Sequence, residues 1–280
     1  MTRSVRRTRR AGRTLRACGA GAALLLALSA CSSSSGTDAG SDAVGSSSSG
    51  KVSAKVSGPV TVFAAASLKE SFTALGETFE KEHPGTDVTF NFAGSDTLAA
   101  SITAGAPADV FASASAKTMA TVTDAGAAAG APSTFARNQL EIATLPGNPE
   151  KISSLEDLTA PGLKVVLCDE SVPCGAAARK ALEAGGLKLT PVSYEQDVKA
   201  ALTKVELKEA DAAVVYRTDV EAAGDKVTGV EFPESADAVN DYPIARLEDA
   251  PNADAAQAFI DLVKSAEGRR VLTGAGFRAP

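Results

Sequence analysis

The 280-residue sequence contains one histidine, His83, and four cysteines. That scarcity removes most catalytic and metal chemistry at the outset. A serine hydrolase needs G-x-S-x-G and a histidine base. The serine that would serve, Ser67, sits in "AASLK", and His83 sits in a polar "EHPG" turn at the far end of the same expected helix. About fifteen helical residues separate them, roughly 22 Å at 1.5 Å per residue. No G-x-x-x-x-G-K-[ST] phosphate loop and no G-x-G-x-x-G dinucleotide turn occurs. No histidine and carboxylate cluster has metal-site spacing. The expectation is a protein that is not an enzyme, with no cofactor and no direct cation ligand. A secreted hydrolase using Ser67 is the rival from the enzyme class, and a structural envelope lipoprotein without a ligand is a third.

Long apolar runs are also lacking. The longest, "ACGAGAALLLALSA" from Ala17 to Ala30, falls short of the about 20 residues that span a bilayer. Seven arginines and no acid precede it in the first sixteen residues. A basic stretch before a short apolar core is a secretory signal, here residues 1–30. The arginine pairs of "RRTRRAG" lack the apolar residues that a twin-arginine export signal would place after them. The segment closes on "LSAC", which resembles a lipobox and makes Cys31 the expected lipidation site. Residues 31–57 are rich in Ser and Gly and nearly free of large apolar side chains. Such a stretch cannot build a core and reads as a flexible tether with a reach of roughly 30 Å. The expected location is the outer face of the cytoplasmic membrane, held by the lipid.

Positive charge is scarce once the signal is gone. The whole chain has 28 basic and 34 acidic residues, so losing seven arginines leaves 21 against 34, a net charge of −13. A body this acidic argues against nucleic acid, which needs a basic surface. An anionic ligand would have to be held by local donors. Cys18 falls in the signal, which leaves only Cys168 and Cys174 in the body, in "CDESVPC". An oxidising compartment favours joining them; free thiols are the alternative, and a zinc pair has no second pair to complete it.

From Gly58 the pattern alternates strand and helix. "PVTVF" is a strand, and "SLKESFTALGETFEKEH" is a helix with Leu68, Phe72, Leu75 and Phe79 on one face. "DVTFNFA", "ADVFASAS", "KVVLCD" and "ADAAVVY" continue as strands, with helices in "GSDTLAASITAG", "GAAARKALEAGG" and "YEQDVKAALTKVE". The tail, from Asn252, reads as two helices that fold back on the first lobe. This alternation predicts an α/β fold with mostly parallel sheets. The expected division is one lobe from 58–137 plus 243–280 and a second from 138–242.

Small polar residues recur where a strand hands over to a helix: Ser67, Ser95 in "AGSDTL", and the "VPCG" turn. Ligands of open α/β sheets lie along that edge, and helix N-termini offer unpaired N–H groups to anions. Taken singly, Ser67 with Glu70 reads as a capping box and Ser95 as an N-cap.

Together, "VFAAASLKESF", "FAGSDTLAASITAGAPADVFASAS", "VPCGAAARKAL", "DVKAALTKVELKEADAAVVYRTD" and "YPIA" resemble the molybdate-binding proteins of bacterial ABC importers. The likeness runs from Val60 to Phe277. It implies a two-lobed, periplasmic-binding-protein-like fold of type II that closes by a hinge over a tetrahedral oxyanion. It implies a monomer that hands molybdate or tungstate to a membrane permease, with sulfate binding on the same fold as the near alternative. It also implies five ligand donors: the hydroxyls and N–H groups of Ser67 and Ser95, the backbone N–H groups of Cys174 and Val198, and the Tyr216 hydroxyl. Cys174 stands where relatives carry alanine. Asp96, beside Ser95, is expected to turn its carboxylate away from the site and cap its own helix.

Overall fold

The computed structural model describes residues 56–280. The signal, the lipidation site Cys31 and the tether up to residue 55 lie outside the described residues. The first segment runs β1 (Gly58–Ala65), a 3-10 turn (Ala66–Leu68), α1 (Lys69–Glu82), β2 (Thr86–Ala93), α2 (Ser95–Thr103), β3 (Val110–Ala112), α3 (Ala116–Asp124) and β4 (Ser133–Asn138). The second runs β5 (Leu140–Thr144), β6 (Val165–Cys168), α4 (Pro173–Ala184), β7 (Ser193–Glu195), α5 (Val198–Glu206), β8 (Ala212–Tyr216), α6 (Arg217–Ala223) and β9 (Thr228–Val230). The chain then returns through β10 (Asn240–Arg246), α7 (Ala253–Lys264) and α8 (Ala266–Gly274).

Two five-stranded sheets result, in the orders β2-β1-β3-β10-β4 and β7-β6-β8-β5-β9. In each sheet four strands run the same way and one is reversed, so the mostly parallel expectation holds with a single exception per sheet. β10 runs antiparallel to both β3 and β4, and β5 runs antiparallel to both β8 and β9. Each is the first strand after the chain crosses between sheets. A chain arriving from the other sheet enters from that side and so runs against its neighbours. The crossings fall at Gln139 and Val239. Asn138 and Asn240–Tyr242, assigned to the second lobe from sequence, are ladder residues of the first sheet. Tyr194 and Glu195, with Ser193 before them, also differ from the expected helix, which began at Tyr194. They form β7 at the exposed edge of the second sheet, and α5 starts only at Val198.

Each sheet has its own core. In the first lobe Leu68, at the N-cap of α1, and Phe72, Leu75 and Phe79 within it are completely buried. The Phe72 and Phe79 rings meet Phe259 of α7 at 5.8 and 5.5 Å, edge to face. Such pairs add about 0.5–1.5 kcal/mol beyond area burial, and here they fasten the C-terminal helices onto the N-terminal sheet. The second core gathers Ile142, Val165, Val166, Leu202, Val205 and Val214 around β8.

One buried acid limits the second lobe. Glu141 on β5 is 9 % exposed. Burial, and next the nearby Glu231, push its carboxyl up from 4.5 to about 7. Between those values the folded chain holds a proton that the unfolded chain has lost, so stability falls as pH rises through that window. Glu141→Gln is expected to stabilise the protein at pH 8 by on the order of 2–3 kcal/mol and to change it little at pH 4. Melting curves at the two pH values check this.

Candidate functional site

The carboxyl ends of β1, β2 and β3 in one lobe face the segments after β6 and β7 in the other. Between them lies a small cavity of about 20 Å³. A space of that volume suits one compact group of roughly 3 Å radius. Its walls include Ala65, Ala66 and Ser67 after β1, Ala93 to Ser95 after β2, and Ala114 after β3. The other lobe contributes Val172 to Cys174 and the Asp197–Val198 pair. Four of the five residues singled out from sequence therefore meet in one place: Ser67, Ser95, Cys174 and Val198.

The two serines are not the helix caps that their local sequence suggests. Ser67 lies inside the 3-10 turn, and α1 has Leu68 at its N-cap with no side-chain cap. Its Oγ instead bonds the Tyr242 hydroxyl at 2.8 Å, and Glu70 turns to Lys199 Nζ of the other lobe at 2.9 Å. Ser95 is the first residue of α2, after the N-cap Gly94. Its Oγ accepts the Ala114 N–H at 3.0 Å. Asp96 does not cap α2 either, and its Oδ1 is buried with no hydrogen-bond partner among the described residues. Gly94 is required where it stands, because a Cβ there would lie 2.6 Å from the Gln196 carbonyl oxygen and 2.7 Å from Asp96 Oδ1.

Cys174 and Val198 sit in the first turns of α4 and α5, where backbone N–H groups lack intrahelical acceptors. Cys174 is joined to Cys168 by a disulfide, Cα to Cα 5.8 Å. This fixes the start of α4 against the end of β6, and the chain-entropy model assigns such a short loop about 2 kcal/mol. Asp197 is the one carboxylate-bearing residue of the cavity wall. Its Oδ1 caps α5 by accepting the Ala200 N–H at 2.9 Å.

Tyr216 stands one layer back, outside the cavity wall. Its hydroxyl accepts from Asn240 Nδ2 at 2.8 Å, and the same amide donates to the Ala114 carbonyl at 2.7 Å. Burial, with Tyr242 and Asp219 adding to it, holds the Tyr216 phenol well above its ordinary value. Below it, Asp219 is fully buried, and burial raises its carboxyl to about 6 against the opposing pull of Lys199. Lys199 Nζ lies 3.1 Å from Asp219 Oδ1, at ion-pair distance but without hydrogen-bond alignment. Burial opposes the Lys199 charge, but Asp219 and Glu70 outweigh it and keep its pKa above the usual value. The Lys199–Glu70 pair is thus a link between the lobes beside the cavity. His83 caps the far end of α1 with its ring 4.6 Å from that of Phe79. No cluster of metal-ligating side chains occurs among the described residues.

Residues 60–278 match the family profile described as bacterial extracellular solute-binding protein. The chain belongs to the bacterial extracellular solute-binding proteins. A curated relative, the molybdate-binding protein ModA of Mycobacterium tuberculosis H37Rv, is 48% identical over 221 residues, covering 79% of this chain and 85% of that protein. Among solved structures, the Azotobacter vinelandii periplasmic molybdate-binding protein superposes with a TM-score of 0.70 at 20% identity, covering 79% of this chain and 99% of that one. The sulfate-binding protein SubI of M. tuberculosis H37Rv gives 0.67 at 19% identity, over 79% and 86%. At such identities the two structures speak for the fold alone.

In this solute-binding protein the residues that sequence reading missed are Asn138, Lys199, Asn240 and Tyr242. Tyr242 was visible only as part of "YPIA". Asn138 and Asn240 each lie at a crossing between lobes, paired opposite one another on β4 and β10. An asparagine at each crossing was the available signal.

Proposed function

We propose that this solute-binding protein captures molybdate, and tungstate with it, between its two lobes and delivers the ion to the membrane permease of an ABC importer. Ser67, Ser95 and the first-turn N–H groups at Cys174 and Val198 hold the oxyanion, with Tyr216 behind them. The protein acts as a monomer, without cofactor or catalysis, tethered outside the cytoplasmic membrane by a lipid on Cys31. The observation that carries this reading is the wall of the 20 Å³ cavity. It offers neutral donors, and its one carboxylate is committed to capping a helix. Molybdate is fully deprotonated near neutral pH and needs donors only. Hydrogen phosphate carries a proton that would require an acceptor. Each hydrogen bond to a charged group contributes roughly 1.5–3 kcal/mol, so several converging donors hold a dianion without Lys or Arg.

A ligand at 100 times its Kd stabilises the folded state by about 2.7 kcal/mol, which for a domain of this size is roughly 5–11 °C in Tm. Molybdate and tungstate are expected to give that shift at micromolar concentration, with sulfate far behind and hydrogen phosphate weakest of the four. A sulfate shift equal to that of molybdate at the same low concentration would replace this reading with sulfate binding. Ester hydrolysis that disappears in Ser67→Ala would replace it with an enzyme.

A further inference from the structure

The donor reading depends on which way each serine proton points, and the hydrogen bonds behind the cavity decide that. For Ser95 the answer is built into the backbone. The Ala114 N–H can only donate, so Ser95 Oγ accepts it at 3.0 Å and keeps its own proton for the cavity. For Ser67 the answer comes from side chains, through Tyr242 and Asn138.

The Asn138 amide has only one possible orientation. Its Oδ1 accepts the Gln139 N–H at 3.0 Å, so Nδ2 must face the other way. There Nδ2 donates to Thr218 Oγ1 at 2.8 Å and to the Tyr242 hydroxyl oxygen at 3.3 Å. An amide nitrogen has nothing to accept with, and the Tyr216 hydroxyl, the remaining polar neighbour, already accepts from Asn240 and has its own proton to place, so the Tyr242 proton turns to Ser67 Oγ, 2.8 Å away. Ser67 is then an acceptor on the Tyr242 side and a donor on the cavity side. The relay does not titrate near neutral pH, because burial first of all lifts the Tyr242 phenol above its ordinary value. Thr218 belongs to the second lobe and Asn138 to the first, so the orientation is anchored across the crossing.

We infer that Asn138 and Tyr242 are positioning residues that force the Ser67 hydroxyl to present its proton to the cavity, and that this direction makes the site reject anions that carry a proton of their own. The inference rests on the oxyanion-binding reading given above. It adds two residues that never touch the ligand, and a mechanism by which the crossing between lobes sets specificity.

Asn138→Asp tests it with an isosteric change. One carboxylate oxygen can still take the Gln139 N–H, but the second now accepts the Tyr242 proton. Ser67 must then donate to Tyr242 and turn a lone pair to the cavity. Binding of molybdate and of hydrogen phosphate to the purified protein is measured by calorimetry at pH 8, where both are dianions. The negative charge that the substitution adds penalises the two anions alike, and so does any general loosening. The ratio of their affinities therefore reads the proton direction alone. Molybdate is expected to weaken by roughly 10- to 100-fold while hydrogen phosphate loses less or gains, so that the ratio falls at least tenfold. An unchanged ratio overturns the inference and leaves the molybdate reading standing. Wild-type protein that binds no oxyanion overturns both. If Asn138→Asp does not fold, Tyr242→Phe decides. It removes the relay without adding charge, and it is expected to weaken molybdate about tenfold and to narrow the same ratio. Wild-type affinity and ratio in Tyr242→Phe would overturn the inference.

Discussion

The double variant Ser67→Ala, Ser95→Ala is expected to bind molybdate between about 10²- and 10⁴-fold more weakly than the parent, at roughly 1.5–3 kcal/mol for each hydrogen bond to a charged ligand. The two single variants should separate in a second measurement, the melting temperature without ligand. Ser95→Ala removes the only acceptor seen for the Ala114 N–H, in a buried setting. A buried donor left unpaired costs about 1–3 kcal/mol, so this variant loses stability as well as affinity. Ser67→Ala leaves the Tyr242 oxygen accepting from Asn138 but removes the acceptor of its proton; that hydroxyl can rotate, as the fixed Ala114 N–H cannot, so stability should stay closer to that of the parent. Calorimetric titration well below the melting point, paired with melting curves, reads the two effects apart. A double variant that binds molybdate within a factor of three of the parent would remove both serines from the site.

The parts of this fold that sequence displays are those with local periodicity. The face of α1 is spelled out by Leu68, Phe72, Leu75 and Phe79, because a helix repeats its buried stripe every three to four residues. The handover points after β1, β2 and β6 are marked by small residues, because a helix must begin there without a bulky neighbour. At those same points, local rules gave the wrong partners. Ser67 and Glu70 have the spacing of a capping box, but each is claimed by a side chain far along the sequence. Tyr242 takes Ser67 across 175 positions, and Lys199, from the opposite lobe, takes Glu70. Asn138 reaches Tyr242 across 104 positions and Thr218 across 80. Bonds of that range leave no repeat in the sequence, and they exist only because the chain crosses twice between sheets. The short edge strands β7 and β9 escaped for a different reason: three residues each are too few for an alternation to show. The polar scaffold behind the site therefore had to come from the structure, and Ser67, Ser95, Cys174 and Val198, which face the cavity, were implied by the family resemblance rather than by local rules.

Gly175→Ala is expected to be the most damaging single substitution in the site's framework. Gly175 is the third residue of α4, and a Cβ there would lie 1.9 Å from the Asp169 carbonyl oxygen, 2.4 Å from its carbon and 2.6 Å from the Cys168 carbonyl oxygen. All three are backbone atoms, so no side chain can rotate out of the way. The start of α4 would have to lift off the end of β6, but the Cys168–Cys174 disulfide holds those two points together. Overpacking that cannot relax costs about 3 kcal/mol or more, which lowers Tm by roughly 6–12 °C. Lifting α4 also displaces the Cys174 N–H from the cavity wall, so molybdate affinity should fall with stability. Gly274→Ala is the matched control, because its Cβ would meet nothing within 4 Å. It is expected to leave Tm unchanged or raised by up to about 1 kcal/mol of stability. The mechanism makes one more demand. If the disulfide is what prevents relaxation, the Gly175→Ala penalty should shrink when parent and variant are compared in their reduced forms. An undiminished penalty there would assign the strain to the helix–strand contact alone, and a Tm within about 2 °C of the parent under oxidising conditions, well short of the roughly 6–12 °C expected, would show that α4 moves more freely than its tether implies.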